Sequence, residues 1–244
     1  MSASSGTARR VAFFGGSFDP PHLGHLAVAR AALSALALDT VLFAPVGAQP
    51  LKPAGSTATF DHRLAMTRLA IAGDPGLSLS LADAPRPAGE PNYTLDTLLA
   101  LRGELPPGST LFCLMGADSF ASLRRWHRAA DIPFAAPLIV ASRPGELLDD
   151  LVSALPEGLS ISPESNPASA PAAIELRCFL LTNGSGDQAP FFLLPGLEIE
   201  ISASQIRDQV RATGALPARP ALLPDAVSAY IRAHGLYGSL APVK

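Results

Sequence analysis

The chain holds only two cysteines, Cys113 and Cys178, among 244 residues. A secreted disulfide scaffold needs more, so two thiols set in apolar runs read as buried and free. Charge is also scarce. Lys and Arg number 18 against 21 Asp and Glu, giving a net charge of −3 with only 16% charged residues. A broad nucleic-acid-binding surface needs a positive excess that is missing here, so any anion site must be local. No apolar run approaches the ~18 residues of a membrane span, and residues 1–10 lack the apolar stretch of a signal peptide. These absences predict a cytoplasmic protein that binds neither membrane nor nucleic acid. No heptad repeat appears either, which leaves a homo-oligomer open.

Hydrophobic residues are 48% of the chain, too many for a disordered one. The length allows one or two domains and a full core without staples. Glycine and proline, 20 and 24 residues, are in excess and predict long or rigid loops. Residues 11–14 form a short apolar run stopped by Gly15-Gly16, which reads as a buried parallel strand. Residues 25–37 read as an Ala- and Leu-rich helix and 40–45 as a second strand ended by proline, together a βαβ unit. Further helices are expected over 60–72, with Asp61 as N-cap, and over 94–101, 119–130, 204–213 and 225–234. Further strands are expected over 77–81, 110–115, 137–141 and 197–201. Residues 155–173, rich in Pro, Ser, Ala and Glu, read as a loop or insertion. The prediction is an α/β fold: a Rossmann-like open parallel sheet with helices on both faces, in one domain over 11–238 behind a disordered tail at 1–10.

The strongest chemical signal is Gly15-Gly16-Ser17-Phe18-Asp19-Pro20-Pro21-His22-Leu23-Gly24-His25. It sits between the first strand and the first helix, where open α/β sheets bind ligands. Two glycines let a phosphate approach the main chain, and helix N-terminal N–H groups favour an anion. His22 and His25, three apart, can share one face of the helix start and donate to phosphate oxygens. A lone histidine here would suggest no more than a cap. A zinc site is disfavoured, because no Cys or carboxylate stands at ligand spacing. The string is neither the dinucleotide glycine fingerprint nor a P-loop.

This motif resembles the signature of the HxGH nucleotidyltransferase superfamily. Further segments narrow the resemblance: 92–98 (Asn-Tyr-Thr-Leu-Asp-Thr-Leu), 115–119 (Met-Gly-Ala-Asp-Ser) with Trp126 following, 142–145 (Ser-Arg-Pro-Gly), 201–207 (Ile-Ser-Ala-Ser-Gln-Ile-Arg) and 224–231 with Leu236-Tyr237. In that order they look like the bacterial nicotinate-nucleotide adenylyltransferase family, over residues 11–238. The resemblance implies that ATP and nicotinate mononucleotide react to give deamido-NAD and pyrophosphate, with Mg2+ carried on the ATP and no dedicated protein metal site. It implies that Gly15, Gly16, Ser17, Phe18, Gly116 and Asp118 hold ATP. His22, His25, Ser202 and Arg207 would contact its phosphates, with His22, His25, Arg207 and Lys52 as the catalytic set. Tyr93, Thr94 and Trp126 would form the pyridine site. Two departures stand out: Leu51 replaces a usual histidine, and Ala203-Ser204 replaces Ser-Thr. The alternatives are an adenylyltransferase for another phosphate acceptor, such as nicotinamide mononucleotide or phosphopantetheine, and a non-catalytic nucleotide sensor. The 92–98 segment and Trp126 argue against phosphopantetheine, and the retained His22, His25 and Arg207 argue against the sensor.

Overall fold

Strand β1 (Arg10–Gly16) is apolar on consecutive positions because both of its faces are covered. Ala12 and Phe14 belong to one core, with Leu26 and Ala29 of α1 (Leu23–Ala35), Met66 and Ala70 of α2 (Phe60–Ile71), and Ile206 and Val227 near the C-terminus. Val11 and Phe13 belong to the opposite core, with Leu95 and Leu98 of α3 (Thr94–Glu104) and Ile132 of the short α5 (Ile132–Ala135). The period-2 geometry of a strand divides the same four residues between two helical layers. The computed structural model describes residues 7–51, 55–142, 152–164, 176–194, 201–216 and 221–238.

β2 (Thr40–Pro45), β3 (Leu77–Leu79), β4 (Thr110–Gly116), β5 (Leu138–Ala141), β6 (Ser160–Pro163), β7 (Arg177–Thr182) and β8 (Gln188–Leu194) complete one sheet, in the order β3-β2-β1-β4-β5-β8-β7-β6. From β3 through β8 the neighbours are parallel. β7 runs antiparallel to both β8 and β6. The expected α/β sheet is present, with this antiparallel end added. Chain order reverses between β1 and β4, which opens a crevice at their carboxyl ends. Helices α4 (Ala117–Ala121), α6 (Ala203–Thr213) and α7 (Asp225–Ala233) finish the fold.

Several boundaries differ from the sequence reading. The helix expected over 119–130 breaks into α4 and 3-10 turns at Leu123–Arg125 and Ala129–Asp131. Ser122 Oγ donates to the Ser119 carbonyl at 2.9 Å and accepts from Trp126 Nε1 at 3.1 Å, and Arg128 is left-handed at φ 50°. Such local side-chain bonds compete with the helical ladder. Thr59, and not Asp61, caps α2, by accepting from the His62 N–H at 3.4 Å. β7 and β8 were not expected. They are joined at a turn where Asn183 Oδ1 accepts from the Ser185 and Asp187 N–H groups. β6 lies within the stretch read as an insertion. Of the expected tail, Arg9 donates from its N–H to Ser109 Oγ at 3.0 Å, and Arg10 already belongs to β1. Residues 1–6, the strand expected at 197–200 and residues 165–173 of the insertion lie outside the described residues; Ile201 is not in a strand. Among the described residues no helix is long and apolar enough to cross a membrane.

Candidate active site

The first loop leaves β1 through two glycines that have little room for a side chain. A Cβ on Gly15 would lie 2.7 Å from the Phe13 ring, and one on Gly16 would lie 3.3 Å from the Phe18 ring. The sequence reading reserved that space for a ligand; packing within the motif demands it as well. Phe18 is 2% exposed and packs edge-on against Phe14 and His25, with ring centroids 5.6 and 5.0 Å apart. Its φ of 47° puts a bulky residue in the left-handed region, a conformation that persists only when its surroundings impose it.

The imposition comes from Asp19, a buried carboxylate. Asp19 Oδ2 accepts from the Thr57 N–H at 2.6 Å, and Oδ1 accepts from the Ala58 N–H at 3.1 Å and from Tyr237 Oη at 2.7 Å. Arg63, 2% exposed, supports the loop from below. It donates from Nη1 to the Ser17 carbonyl and from Nη2 to the Val46 carbonyl, both at 2.8 Å, and from Nε to the Ala58 carbonyl at 3.3 Å.

His22 then caps α1 and His25 occupies its first turn. The two imidazoles stack at 3.7 Å with 27° between their planes. The His22 N–H donates to His25 Nδ1 at 3.1 Å, so neutral His25 carries its proton on Nε2. His22 Nδ1 is buried with no protein partner. Opposite, Ser202 stands at the N-cap of α6. Arg207, one turn on, donates from Nη1 to the Asp19 carbonyl at 2.6 Å and from Nη2 to Ser204 Oγ at 3.1 Å. Its Nε is buried and unpartnered. His22 and Arg207 thus both line one crevice, and each keeps one polar atom without a protein partner.

Around them lies a cleft of about 990 Å³ at the β1–β4 switch point. Gly15, Gly16, Ser17, Phe18, His22 and His25 line it from the first loop; Gly116 and Asp118 line it from the end of β4; Ser202 and Arg207 line it from α6. Tyr93, Thr94 and Trp126 line its far end, where Tyr93 stands at the N-cap position of α3 and Thr94 opens the helix. Each described residue expected in the site is therefore in one cavity. Lys52 lies outside the described residues. Leu51 is exposed on the cleft wall.

The cytidylyltransferase-like family profile matches residues 13–209. A protein of Stenotrophomonas maltophilia (strain K279a) named "Probable nicotinate-nucleotide adenylyltransferase" is 41% identical, covering 94% of this chain and 97% of its own length. A Gloeobacter violaceus protein of the same name is 38% identical over 93% of this chain and 96% of its own. The chain belongs to the nicotinate-nucleotide adenylyltransferase family. Its fold agrees with that of the Plasmodium falciparum nicotinic acid mononucleotide adenylyltransferase complexed with NaAD, at TM-score 0.64 and 16% identity over 95% of this chain and 98% of that one.

For a member of this family, the sequence reading gave no role to several residues that build the site. Asp19, Arg63 and Tyr237 hold the first loop. Asn92 is buried and ties the loop after β2 to the start of α3, accepting from the Ala48 N–H at 2.9 Å and donating to the Ala84 carbonyl at 2.9 Å. His127 packs on Tyr93 with ring centroids 4.4 Å apart and lines the same end of the cleft. Asp83 is buried on the same wall, accepts from Thr97 Oγ1 at 2.9 Å, and is pushed up from the ordinary carboxyl range by burial. Arg63 had a legible signal: with Met66, Thr67 and Ala70 it falls at helical spacing on the buried stripe of α2, where a cation needs a reason.

His22 and His25 are neutral at pH 7. Burial pushes His22 down to about 4. Burial, and then the charge on His22, holds His25 well below its ordinary value. The unfolded chain titrates both near the usual 6.5 and so binds more protons than the folded one between about pH 4 and 6.5. Stability therefore rises with pH across that window. The Tm is expected to fall from pH 7 to pH 5, and His22→Gln to flatten that fall. An equally steep fall in the variant would assign the pH dependence elsewhere.

Proposed function

We propose that this protein transfers the adenylyl group of ATP to nicotinate mononucleotide, releasing pyrophosphate and forming deamido-NAD, a step of NAD biosynthesis. The carrying observation is the stacked His22–His25 pair at the start of α1, facing Arg207 and the start of α6 across one cleft. A phosphate oxygen of the mononucleotide attacks the α-phosphorus of ATP; that P–O bond forms while the bond to the β-phosphate oxygen breaks, and pyrophosphate leaves. No covalent enzyme intermediate is needed, so the chain's task is to position both phosphates and stabilise the leaving charge. His25 Nε2–H and a His22 N–H donate to phosphate oxygens. The Arg207 guanidinium is a fixed cation suited to the same oxygens. Lys52 would add a point charge to the same set.

Magnesium enters with ATP in this reading, where it neutralises charge on the triphosphate. Among the described residues no three His, Cys, Asp or Glu gather around one point, which suits an ion held mainly by phosphate oxygens and water. Gly15, Gly16, Ser17, Phe18, Gly116, Asp118 and Ser202 hold the rest of the ATP, the glycines through their main chain. At the other end the Trp126 indole offers a face for the pyridine ring, and the main-chain N–H groups that begin α3 at Thr94 receive its carboxylate. We also infer a cytoplasmic location, supported by the free thiols of Cys113 and Cys178.

The test is pyrophosphate release with ATP and magnesium, offering nicotinate and nicotinamide mononucleotides side by side. Strong preference for the nicotinate form is expected. Equal rates would overturn the pyridine site, and no release with either would overturn the reaction.

A further inference from the structure

Tyr237 is the last buried residue of the described chain, beyond the end of α7 and 218 residues from its partner in the first loop. Its hydroxyl donates to Asp19 Oδ1 at 2.7 Å. Asp19 sits where two functional elements meet. Three residues on, the chain reaches His22 and begins α1, while its carbonyl holds the Arg207 guanidinium of α6 at 2.6 Å. The carboxylate takes its remaining hydrogen bonds from the Thr57 and Ala58 amides. One residue therefore links the imidazole pair, Arg207, the loop before α2 and the C-terminal turn. Backbone strain stands at both ends of the link, with Phe18 at φ 47° beside Asp19 and Tyr237 itself at φ 60°. Bulky residues hold such angles only under constraint, and strain of this kind gathers where geometry must be fixed.

We infer that Tyr237 is a positioning residue for the phosphate-binding groups, fixing the relative placement of His22, His25 and Arg207 through Asp19. The inference rests on the adenylyl-transfer reading for its kinetic consequence. Tyr237 lies behind the loop, outside the residues that line the cleft. Its hydroxyl instead satisfies a buried carboxylate whose main chain carries the catalytic elements. Without that donor Asp19 keeps only its amide partners and can rotate, and Arg207 shifts with the carbonyl it holds. A misplacement of this kind acts on the transition state more than on ground-state binding.

Tyr237→Phe removes the hydroxyl and keeps the ring that fills the core. Expected is a fall in kcat of about 10- to 100-fold, the scale of a small misplacement of reacting groups. The KM values for ATP and for the pyridine nucleotide should stay within about 3-fold, because neither substrate has lost a contact. A kcat within about 2-fold of wild type, or a loss carried by KM, overturns the inference; so does a lower Tm with unchanged kcat, which would make Tyr237 merely structural. A second readout needs no turnover. The ¹⁵N imidazole spectrum should show His25 as the Nε2–H tautomer in the wild type and a mixed or shifted pattern in Tyr237→Phe. If the wild type releases no pyrophosphate, the function reading fails and this spectrum alone decides the inference, with identical spectra counting against it.

Discussion

His25→Ala is expected to lower turnover by about 10²- to 10³-fold, the usual effect of removing one preorganised donor from a developing anion. The His25 ring lies on His22 and against Phe18, and its Nδ1 is committed to the His22 N–H. That commitment leaves Nε2–H as its donor and sets the tautomer before substrate arrives. A donor already oriented in a water-poor site needs no reorganisation when charge develops on the leaving pyrophosphate. Alanine keeps the helix and loses one hydrogen bond, so the fold should survive with a modest drop in Tm. Single-turnover rates in the variant, read beside its circular dichroism, check both halves. Near-normal turnover would remove His25 from the mechanism.

Arg63→Met should act first on folding. The guanidinium is buried and spends its donors on three main-chain carbonyls, those of Ser17, Val46 and Ala58. Methionine has similar reach and no donor. It spares the cost of burying a cation but strands those acceptors, at about 1–3 kcal/mol for each group left unsatisfied. A net loss of about 3 kcal/mol follows, or ~10 °C in Tm for a chain of this length. Residual activity should fall further than stability explains, because Ser17 lines the cleft and its carbonyl loses a donor. Thermal unfolding with kcat measured at 15 °C separates the two effects. An unchanged Tm would mean that water or relaxation satisfies the carbonyls.

The two variants probe parts of the molecule that were unequally legible. The first loop could be read from its residues because its logic is local: strand, glycines, then imidazoles three apart at a helix start. β1, α1 and β2 followed within a few residues of their expected limits for the same reason. Residues 119–130 read as one helix in the sequence and form α4 and two 3-10 turns in the structure. Their composition is helical, and Ser122 overrides that preference with two side-chain bonds. β7 and β8 leave only the Asn183-Gly184 turn as a sign in the sequence, since strands at the end of a sheet are specified by the pairing they receive.

Sequence by itself determined the α/β class, the βαβ start, the family resemblance and part of the set of residues that line the cleft. These depend on short-range periodicity and on side chains within one turn of each other. Tertiary structure alone decided that Arg207 is held by the Asp19 carbonyl, that Tyr237 closes on Asp19 from 218 residues away, and that Arg63 lies beneath the loop. It also made both histidines neutral, since burial by residues from other elements moves their titration. Hydrogen bonds and desolvation of this kind arise only when two helical layers close over one sheet, and no spacing along the chain encodes which groups then meet.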